Sequence, residues 1–179
     1  MTELRGPRVV LRSWRADDLD HFAELNADRR VMEHFPALLT RDESAAMMAR
    51  MQANIDARGW GNWALEVDGV CIGFTGLSVP AFDAHFMPCT EIGWRLAFDT
   101  WGRGYATEAA RLALAHGFAI VGLAEIVSFT TVRNLRSRQV MERIGMRHDP
   151  ADDFDHPRLP GSPHQRHVLY RLPRSRWRS

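Results

Sequence analysis

The stretch of the chain with the clearest chemical potential is a glycine turn in residues 101–109, which read WGRGYATEA. Gly102 and Gly104 lie between a strand-like run and a strongly helical one, and glycines let the backbone approach a ligand closely. The first N–H groups of a helix have no internal partner and carry partial positive charge, so such a turn favours a phosphate. Arg103 could add a guanidinium and Thr107 a hydroxyl. A connecting turn without a ligand is the alternative, and the glycines alone do not decide between the two.

The common nucleotide-binding motifs do not fit this turn. It has no Gly-Lys-Ser/Thr ending, which excludes a Walker A motif, and it lacks the third glycine of the dinucleotide fingerprint. If the turn holds phosphates, they belong to another ligand.

A second group of polar residues is Asn134-x-x-Ser137, at the start of a short helical pattern over residues 134–145. Asn134 is a natural N-cap residue, and Gly145 is a natural residue after the helix end. Two short polar side chains at an exposed helix start could also face a bound ligand. Capping is the simpler interpretation of this motif taken alone.

The surrounding pattern predicts the elements that position these residues. Thr40 and Glu43 form a capping-box pattern before a helix, and Asp68-Gly69 between apolar alternations predicts a β-hairpin. Other strands are predicted at residues 8–14, 90–98, 125–131 and 167–172, and other helices from Asp17 and over residues 106–118. Early hairpins followed by strand–helix alternation indicate an α/β domain with a mixed sheet and helices packed on it. The single domain spans residues 1–179, with a loop over 148–164 and a frayed tail over 173–179.

Composition limits the class of protein. The 179 residues carry 23 basic and 22 acidic side chains, a net charge of +1, so no general attraction to nucleic acid or to an anionic membrane is expected. No apolar run is long enough to cross a bilayer, and no signal peptide is visible. Cys71 and Cys89 form no CxxC pair. The lack of a spanning segment and of a signal peptide leads us to expect a cytoplasmic protein. The Asp- and His-rich loop offers a conceivable metal site at His148, Asp152, Asp155 and His156, but their spacing matches no regular ligand pattern, so we expect no metal.

The order of these motifs is more specific than any one of them. A strand, a glycine turn, a long amphipathic helix, another strand and an Asn-x-x-Ser helix together resemble the acetyl-CoA site of the GNAT superfamily of N-acetyltransferases. The resemblance extends to its RimJ/RimL-type branch and is carried by the segments RVVLRSWRADDLDHFAELNAD, IGFTGLS, EIGWRL, WGRGYATEA, NLRSRQVMERIGM and HVLYRL. The family turn is commonly written Q/R-x-x-G-x-G/A. Trp101 stands at its first position, a departure that recurs in this branch.

The resemblance implies a fold and a set of cofactor contacts. The fold would be a GNAT-type, mostly antiparallel twisted sheet, splayed at the cofactor site by a bulge and flanked by helices. Backbone groups of Trp94, Arg95 and Leu96 would pair with the pantetheine arm of acetyl-CoA. Asn134 would contact the same arm, and Ser137 would lie near the thioester sulfur. The pyrophosphate would bind the backbone N–H groups of six consecutive residues: Gly102, Arg103, Gly104, Tyr105, Ala106 and Thr107.

The resemblance also implies a reaction, the transfer of an acetyl group to a primary amine. An alkylamine with a pKa near ~10 is almost fully protonated at neutral pH, so a base has to accept its proton. Glu91, with uncrowded Gly93 beside it, is the candidate base; an ion pair with Arg95 is the alternative role. Many family members use a tyrosine to assist the leaving thiolate, but no tyrosine lies between Tyr105 and Tyr170. Ser137 is therefore the candidate donor, and we expect direct transfer without an acyl-enzyme.

The acceptor remains open in the sequence. A peptide N-terminus or a small-molecule amine would fit, and an acidic acceptor cleft would favour an antibiotic or a polyamine. A CoA-binding or ribosome-associated module without transferase activity is the alternative from another class. A homodimer is possible because dimers are common among similar proteins.

Overall fold

The computed structural model describes residues 3 to 178, which form nine strands and four α-helices. The strands are β1 (Leu4–Arg5), β2 (Val10–Arg12), β3 (Asn62–Val67), β4 (Val70–Ser78), β5 (Glu91–Leu96), β6 (Glu125–Thr131), β7 (Arg147–His148), β8 (Phe154–Asp155) and β9 (Arg166–Pro173). The helices are α1 (Leu19–Ala27), α2 (Arg41–Arg58), α3 (Tyr105–His116), which continues as a π-helical turn over Gly117–Val121, and α4 (Leu135–Arg143).

The strands form one sheet in the order β1-β2-β3-β4-β5-β6-β9-β7, with β8 paired to β9. Among the described strands, only β5 and β6 run parallel to each other. The prediction of a mixed, mostly antiparallel sheet with flanking helices is confirmed.

Local sequence signals explain several element boundaries. The Thr40 hydroxyl accepts from the Glu43 N–H at 3.2 Å, and the Glu43 carboxylate accepts from the Thr40 N–H at 2.7 Å, so the predicted capping box begins α2. Asp68 and Gly69 both have positive φ angles, 50° and 82°, in the tight turn between β3 and β4. Strand β2 is shorter than the predicted 8–14, because only Val10–Arg12 pairs with β3.

The helices pack on opposite faces of the sheet. The Phe74 ring contacts Phe22 of α1 with centroids 6.2 Å apart, whereas the Trp63 ring contacts His116 of α3 at 5.4 Å. Trp63 pairs with Thr75, and successive residues of a strand point to opposite faces, so Phe74 and Trp63 lie on opposite sides. Helices α1 and α2 therefore cover the face that carries Phe74, and α3 covers the other.

A second, smaller core covers part of the sheet beyond β5. Phe86, Val127, Phe154 and Leu169 are buried there, with Phe82 and Phe129 packed against them. Phe82 and Phe86 come from the loop before β5, Phe129 from β6 and Phe154 from the short strand β8 in the segment before β9. Both connecting segments are therefore anchored beside the α1–α2 face of β5 rather than free of the sheet.

The C-terminal tail is packed, and the prediction of a frayed segment over 173–179 was wrong for the described residues. Pro173 belongs to β9, and the Arg174 N–H donates to the Ala124 carbonyl at 2.8 Å. The Trp177 ring lies 5.7 Å from that of Phe118. This contact joins distant parts of the chain, which is why the polar local sequence concealed it. Ser179 lies outside the described residues.

Candidate functional site

The glycine turn between β5 and α3 presents a row of free backbone donors. Gly102 and Gly104 have φ angles of 76° and 82°, in the left-handed region that favours glycine. Gly104 is the N-cap of α3, and the first helical hydrogen bond runs from the Glu108 N–H to the Gly104 carbonyl at 3.1 Å. The N–H groups of residues 102–107 donate to no backbone carbonyl among the described residues. An anion at this helix start would meet several unpaired donors and the positive end of the helix dipole.

Two arginines that sequence reasoning missed stand beside this turn. Arg8 donates from Nη1 to the Arg103 carbonyl at 2.9 Å and from Nε to Glu108 at 2.8 Å. Arg136 places its guanidinium carbon 4.9 Å from the ring centre of Trp101. Arg8 is distant in sequence, so no local pattern could have located it. Arg136 lies inside the Asn134-x-x-Ser137 motif. Its position at the start of this helix could have indicated a basic side chain near the ligand.

Trp101, the departure from the family turn, has a structural role here. Its indole N–H donates to the Leu96 carbonyl at 2.9 Å, and its ring packs against Phe98 with centroids 5.0 Å apart. The indole thus satisfies the last carbonyl group of β5 and supports the turn. Its ring face contacts the guanidinium of Arg136.

Strands β5 and β6 pair at one point and separate beyond it. Glu91 is opposite Val127, and residues 92–96 have no partner on β6. The Ser128 hydroxyl donates to the Ile92 carbonyl at 2.8 Å, in the place where a β6 backbone N–H would otherwise pair. The pairing of β4 with β5 is continuous from Ser78–Glu91 to Gly73–Leu96. The splay is therefore real, but the expected bulge in β5 is absent, because a serine side chain takes up the separation.

The backbone groups of β5 alternate between the two neighbouring strands. The Ile92 carbonyl faces β6, so Trp94 and Leu96 face the same gap, while Glu91, Gly93 and Arg95 face β4. The backbone donors and acceptors of Trp94 and the N–H of Leu96 are thus directed at the open wedge. Arg95 differs from its two neighbours: its backbone is turned to β4, which corrects the expectation that it would pair with a ligand in the gap.

Asn134 and Ser137 lie across the wedge at the start of α4. The Asn134 Oδ1 atom accepts from the Ser137 N–H at 3.2 Å, and its Nδ2 donates to Thr130 at 2.9 Å, so the capping interpretation is confirmed. Both residues also line the cleft. The Ser137 hydroxyl makes no hydrogen bond to the described residues, and so it remains available to a ligand.

Glu91 lies at the point where the strands separate. Its carboxylate is 3.3 Å from the Ser78 hydroxyl, and it has no ion pair with any described residue. Burial in the cleft raises its pKa to about 8, against a smaller opposing effect of the Ser78 hydrogen bond. The alternative ion pair with Arg95 is wrong, because that guanidinium donates to Asn26 at 2.7 Å.

These residues share one cleft of about 820 Å³. From the predicted site, it is lined by Glu91, Trp94, Arg95, Leu96, Gly102, Gly104, Tyr105, Ala106, Thr107, Asn134 and Ser137. Arg103 is exposed on the turn outside this lining. In residues 3–178, no three His, Cys, Asp or Glu side chains are grouped so that they could hold a metal ion.

The family follows from a comparison of the whole sequence with known proteins. A model described as "Acetyltransferase (GNAT) domain" matches residues 8–147. The chain belongs to the GNAT acetyltransferase family. A protein of Aspergillus fumigatus named FsC-acetyl coenzyme A-N(2)-transacetylase is 30% identical over 163 residues, which cover 86% of this chain and 68% of the relative.

Solved GNAT structures share this fold. A GNAT-family acetyltransferase from Bacillus anthracis superposes with a TM-score of 0.81 at 23% identity, covering 97% of this chain and 99% of that one. Mycobacterium smegmatis RimJ, solved in complex with CoA-disulfide, gives a TM-score of 0.76 at 22% identity, covering 96% and 86%. Acetyl-CoA is the acetyl donor general to the GNAT family.

The two cysteines of this GNAT protein have no sign of nucleophilic activation. Burial raises the pKa of the Cys71 thiol to about 12 and that of Cys89 to about 11, so both stay protonated near neutral pH. Neither lines the cleft.

No described helix is long and apolar enough to cross a membrane.

The raised pKa of Glu91 predicts how stability depends on pH. The folded protein keeps the Glu91 proton up to pH 8, whereas the unfolded chain releases it near pH 4.5. The wild type therefore loses stability as the pH rises through this interval, and Glu91→Gln, which cannot ionise, does not. We expect Glu91→Gln to have the larger free energy of unfolding at pH 9, by on the order of a few kcal/mol, with little difference at pH 4.5.

Denaturant unfolding at several pH values measures this difference. Glu33→Gln is the control, because Glu33 lies on the same cleft but its side chain is 63% exposed. Parallel pH dependences for the wild type and Glu91→Gln would contradict a raised pKa at Glu91.

Proposed function

We propose that this GNAT protein is an acetyl-CoA-dependent N-acetyltransferase of the RimJ/RimL-like type, which transfers the acetyl group directly to a primary amine. The observation that carries the proposal is the convergence of three features on one cleft. They are the free N–H groups after β5, the open wedge between β5 and β6, and a half-buried carboxylate with a raised pKa at the apex of the wedge.

In this proposal the chain holds the donor by its backbone and by a few basic side chains. The N–H groups of residues 102–107 bind the pyrophosphate, and Arg136 adds positive charge near it. Trp94 and Leu96 pair with the pantetheine arm through the backbone groups that face the wedge. Asn134 keeps α4 in place as its N-cap, and one amide hydrogen remains for the arm.

The transfer forms an N–C bond and breaks the thioester C–S bond. Glu91, in its ionised form, accepts the proton that the amine releases, directly or through a water. The Trp94 N–H, directed into the wedge, is placed to stabilise the carbonyl oxygen on which negative charge develops. The Ser137 hydroxyl donates a hydrogen bond to the departing sulfur. Both thiols are protonated and outside the cleft, which supports direct attack over an acyl-cysteine.

Ser137→Ala tests the assistance at the sulfur. A hydroxyl that donates one hydrogen bond contributes about 1 kcal/mol, so we expect kcat to fall about threefold to tenfold. The affinity for acetyl-CoA and the thermal stability should stay unchanged, because Asn134 caps the Ser137 backbone N–H rather than its hydroxyl. An unchanged kcat would remove Ser137 from the mechanism, and a loss beyond about 1000-fold would make it an essential acid.

Two measurements test the proposed function. Calorimetry with acetyl-CoA tests the cofactor site, and no binding at tens of micromolar would contradict it. An acceptor screen by mass spectrometry, with amines and short peptides, tests transfer. Binding of CoA without acetylation of any acceptor would instead favour a binding module.

A further inference from the structure

Arg95 is a buried cation that has no carboxylate partner. Its side chain is on the α1–α2 face of β5, and the residue is 8% exposed. Nη1 donates to Asn26 at 2.7 Å and lies 3.9 Å from the Met47 sulfur, and the guanidinium stacks 4.1 Å from the Phe35 ring centre. Nε has no hydrogen-bond partner, and no described residue accepts from Nη2. The edge of the guanidinium formed by Nε and Nη2 thus has no hydrogen-bond partner among the described residues.

This arrangement contrasts with the other buried arginine of the sheet. Arg12, 5% exposed, donates to Asp18 through both terminal nitrogens at 2.7 Å and pairs through Nε with Glu66. Burial lowers the pKa of Arg95 to about 10, yet the group is still charged at neutral pH. A buried charge without a counter-ion costs several kcal/mol. Within the chain, only the Asn26 hydrogen bond, the Met47 sulfur and the rings of Phe35 and Phe74, at 4.1 Å and 5.6 Å, offset this cost among the described residues.

Arg95 lines the same cleft as Glu91 and lies on the same face of β5. Glu91, Gly93 and Arg95 alternate along one face of β5, and Gly93 leaves the floor between the two side chains bare, with only a Glu91 oxygen near its Cβ position, at 4.0 Å. Four residues of strand separate the two Cα atoms by roughly 13 Å. An acceptor that contacts both side chains therefore has to reach over about 10–13 Å, the length of three to four extended residues.

The charge of the cleft excludes a polycation as its best ligand. Its lining has two carboxylates, Glu33 and Glu91, against four arginines, Arg95, Arg136, Arg143 and Arg158. Arg136 and Arg143 face the glycine turn and the α4 end, so Arg95 and Arg158 remain for the acceptor. Arg158 is exposed and already donates to the Ala81 carbonyl, whereas Arg95 has the unpaired edge.

We propose that the acceptor is an amino carboxylate about three residues long, whose amine lies at Glu91 and whose carboxylate binds the Nε–Nη2 edge of Arg95. This inference rests on the proposed acetyl transfer and adds the class of acceptor. Two adjacent N–H donors in a plane match the two oxygens of a carboxylate. Nε is shielded from solvent, so binding includes a side-chain shift at this end of the cleft, where Phe35 covers the guanidinium.

The test uses a matched pair of ligands on the whole protein saturated with CoA. The probes are a tripeptide with a free C-terminal carboxylate and the same tripeptide with a C-terminal amide, both with a free N-terminal amine. Calorimetry measures the affinity of each. We expect the carboxylate to bind the wild type at least about 10-fold more tightly, as a charge-assisted hydrogen bond provides. Equal affinities, or no binding of either probe, would overturn the inference.

Substitutions identify the side chain that causes the preference for the carboxylate tripeptide. Arg95→Met should abolish the difference between the two probes while keeping the affinity for acetyl-CoA. Arg95→Lys should also lose most of the difference, because a lysine ammonium lacks the planar pair of donors. Arg30→Met is the matched control, because Arg30 also stacks on a phenylalanine, 4.0 Å from the Phe98 ring centre, but lies outside the cleft lining. A preference that survives Arg95→Met, or that disappears in Arg158→Met alone, would overturn the assignment to Arg95.

The possible outcomes distinguish a failure of this inference from a failure of the proposed acetyl transfer. Failure to bind acetyl-CoA contradicts the proposed acetyltransferase as a whole. Acetyl-CoA binding together with equal turnover of the carboxylate and amide tripeptides keeps the transferase and removes the anionic acceptor.

Discussion

Glu91→Gln is expected to lower kcat by about 100-fold to 10,000-fold at pH 8, the range that a general base contributes. Glutamine keeps the shape of the side chain and can still accept from Ser78, but it cannot take a proton. In the wild type, activity should rise with pH, reach half its maximum near pH 8 and level off about one pH unit above, because Glu91 in the cleft ionises with a pKa of about 8. An ordinary glutamate, with a pKa of 4.5, would already be ionised at pH 6.

Steady-state kinetics across pH 6 to 10 measures this effect. The affinity for acetyl-CoA should change little, and Glu33→Gln should keep kcat within about threefold, since Glu33 is exposed at the edge of the cleft. A chemically matched acceptor with a lower amine pKa separates the titration of the amine from that of Glu91. If Glu91→Gln retained kcat within threefold, a water chain without Glu91 would have to remove the proton.

Gly104→Val is expected to weaken acetyl-CoA binding by at least about 100-fold. The φ angle of Gly104 is 82°, a conformation that costs a β-branched residue roughly 1–2 kcal/mol or more. The new Cβ would also contact the Arg8 guanidinium at 3.4 Å, so the valine would lie directly against the arginine that supports the turn. Relief of this strain reorients the N–H groups at the start of α3, which are the proposed phosphate donors.

Gly122→Val is the control for strain alone. Gly122 has a φ angle of 80° beyond the other end of α3, and its Cβ would meet nothing within 4 Å. Both variants should lose similar stability in denaturant unfolding, but only Gly104→Val should lose affinity in calorimetry. Affinity within threefold of the wild type would place the phosphates elsewhere, and equal losses in both variants would indicate a general effect of destabilisation.

Sequence reasoning succeeded where a feature depends on adjacent residues. The capping box at Thr40 and Glu43, the Asp68–Gly69 turn and the Asn134 cap are each fixed by side chains within three positions of the backbone groups they satisfy. The glycine turn was located for the same reason.

It failed where the outcome depends on distant contacts. Arg8 donates a hydrogen bond to the carbonyl of Arg103, 95 positions away, and the Trp177 ring packs against Phe118. Arg95 donates to Asn26 instead of forming an ion pair with Glu91. Burial of Glu91 is likewise a property of the assembled cleft, so its raised pKa has no local signal. The expected bulge was wrong because β5 keeps a continuous register with β4, and at the start of the gap the Ser128 side chain, rather than a backbone N–H of β6, bonds to Ile92.

The wedge between β5 and β6 is fixed by the protein itself. The Ser128 hydroxyl satisfies the Ile92 carbonyl at the apex, and the Trp101 indole satisfies the Leu96 carbonyl at the mouth, so these two carbonyls have partners within the chain while the strands are apart. A ligand that enters the wedge does not have to break backbone hydrogen bonds between β5 and β6. Its apparent affinity is therefore not reduced by the need to populate a rare open form. We therefore expect the association rate of acetyl-CoA to rise in proportion to its concentration, without the plateau that a slow opening step would impose.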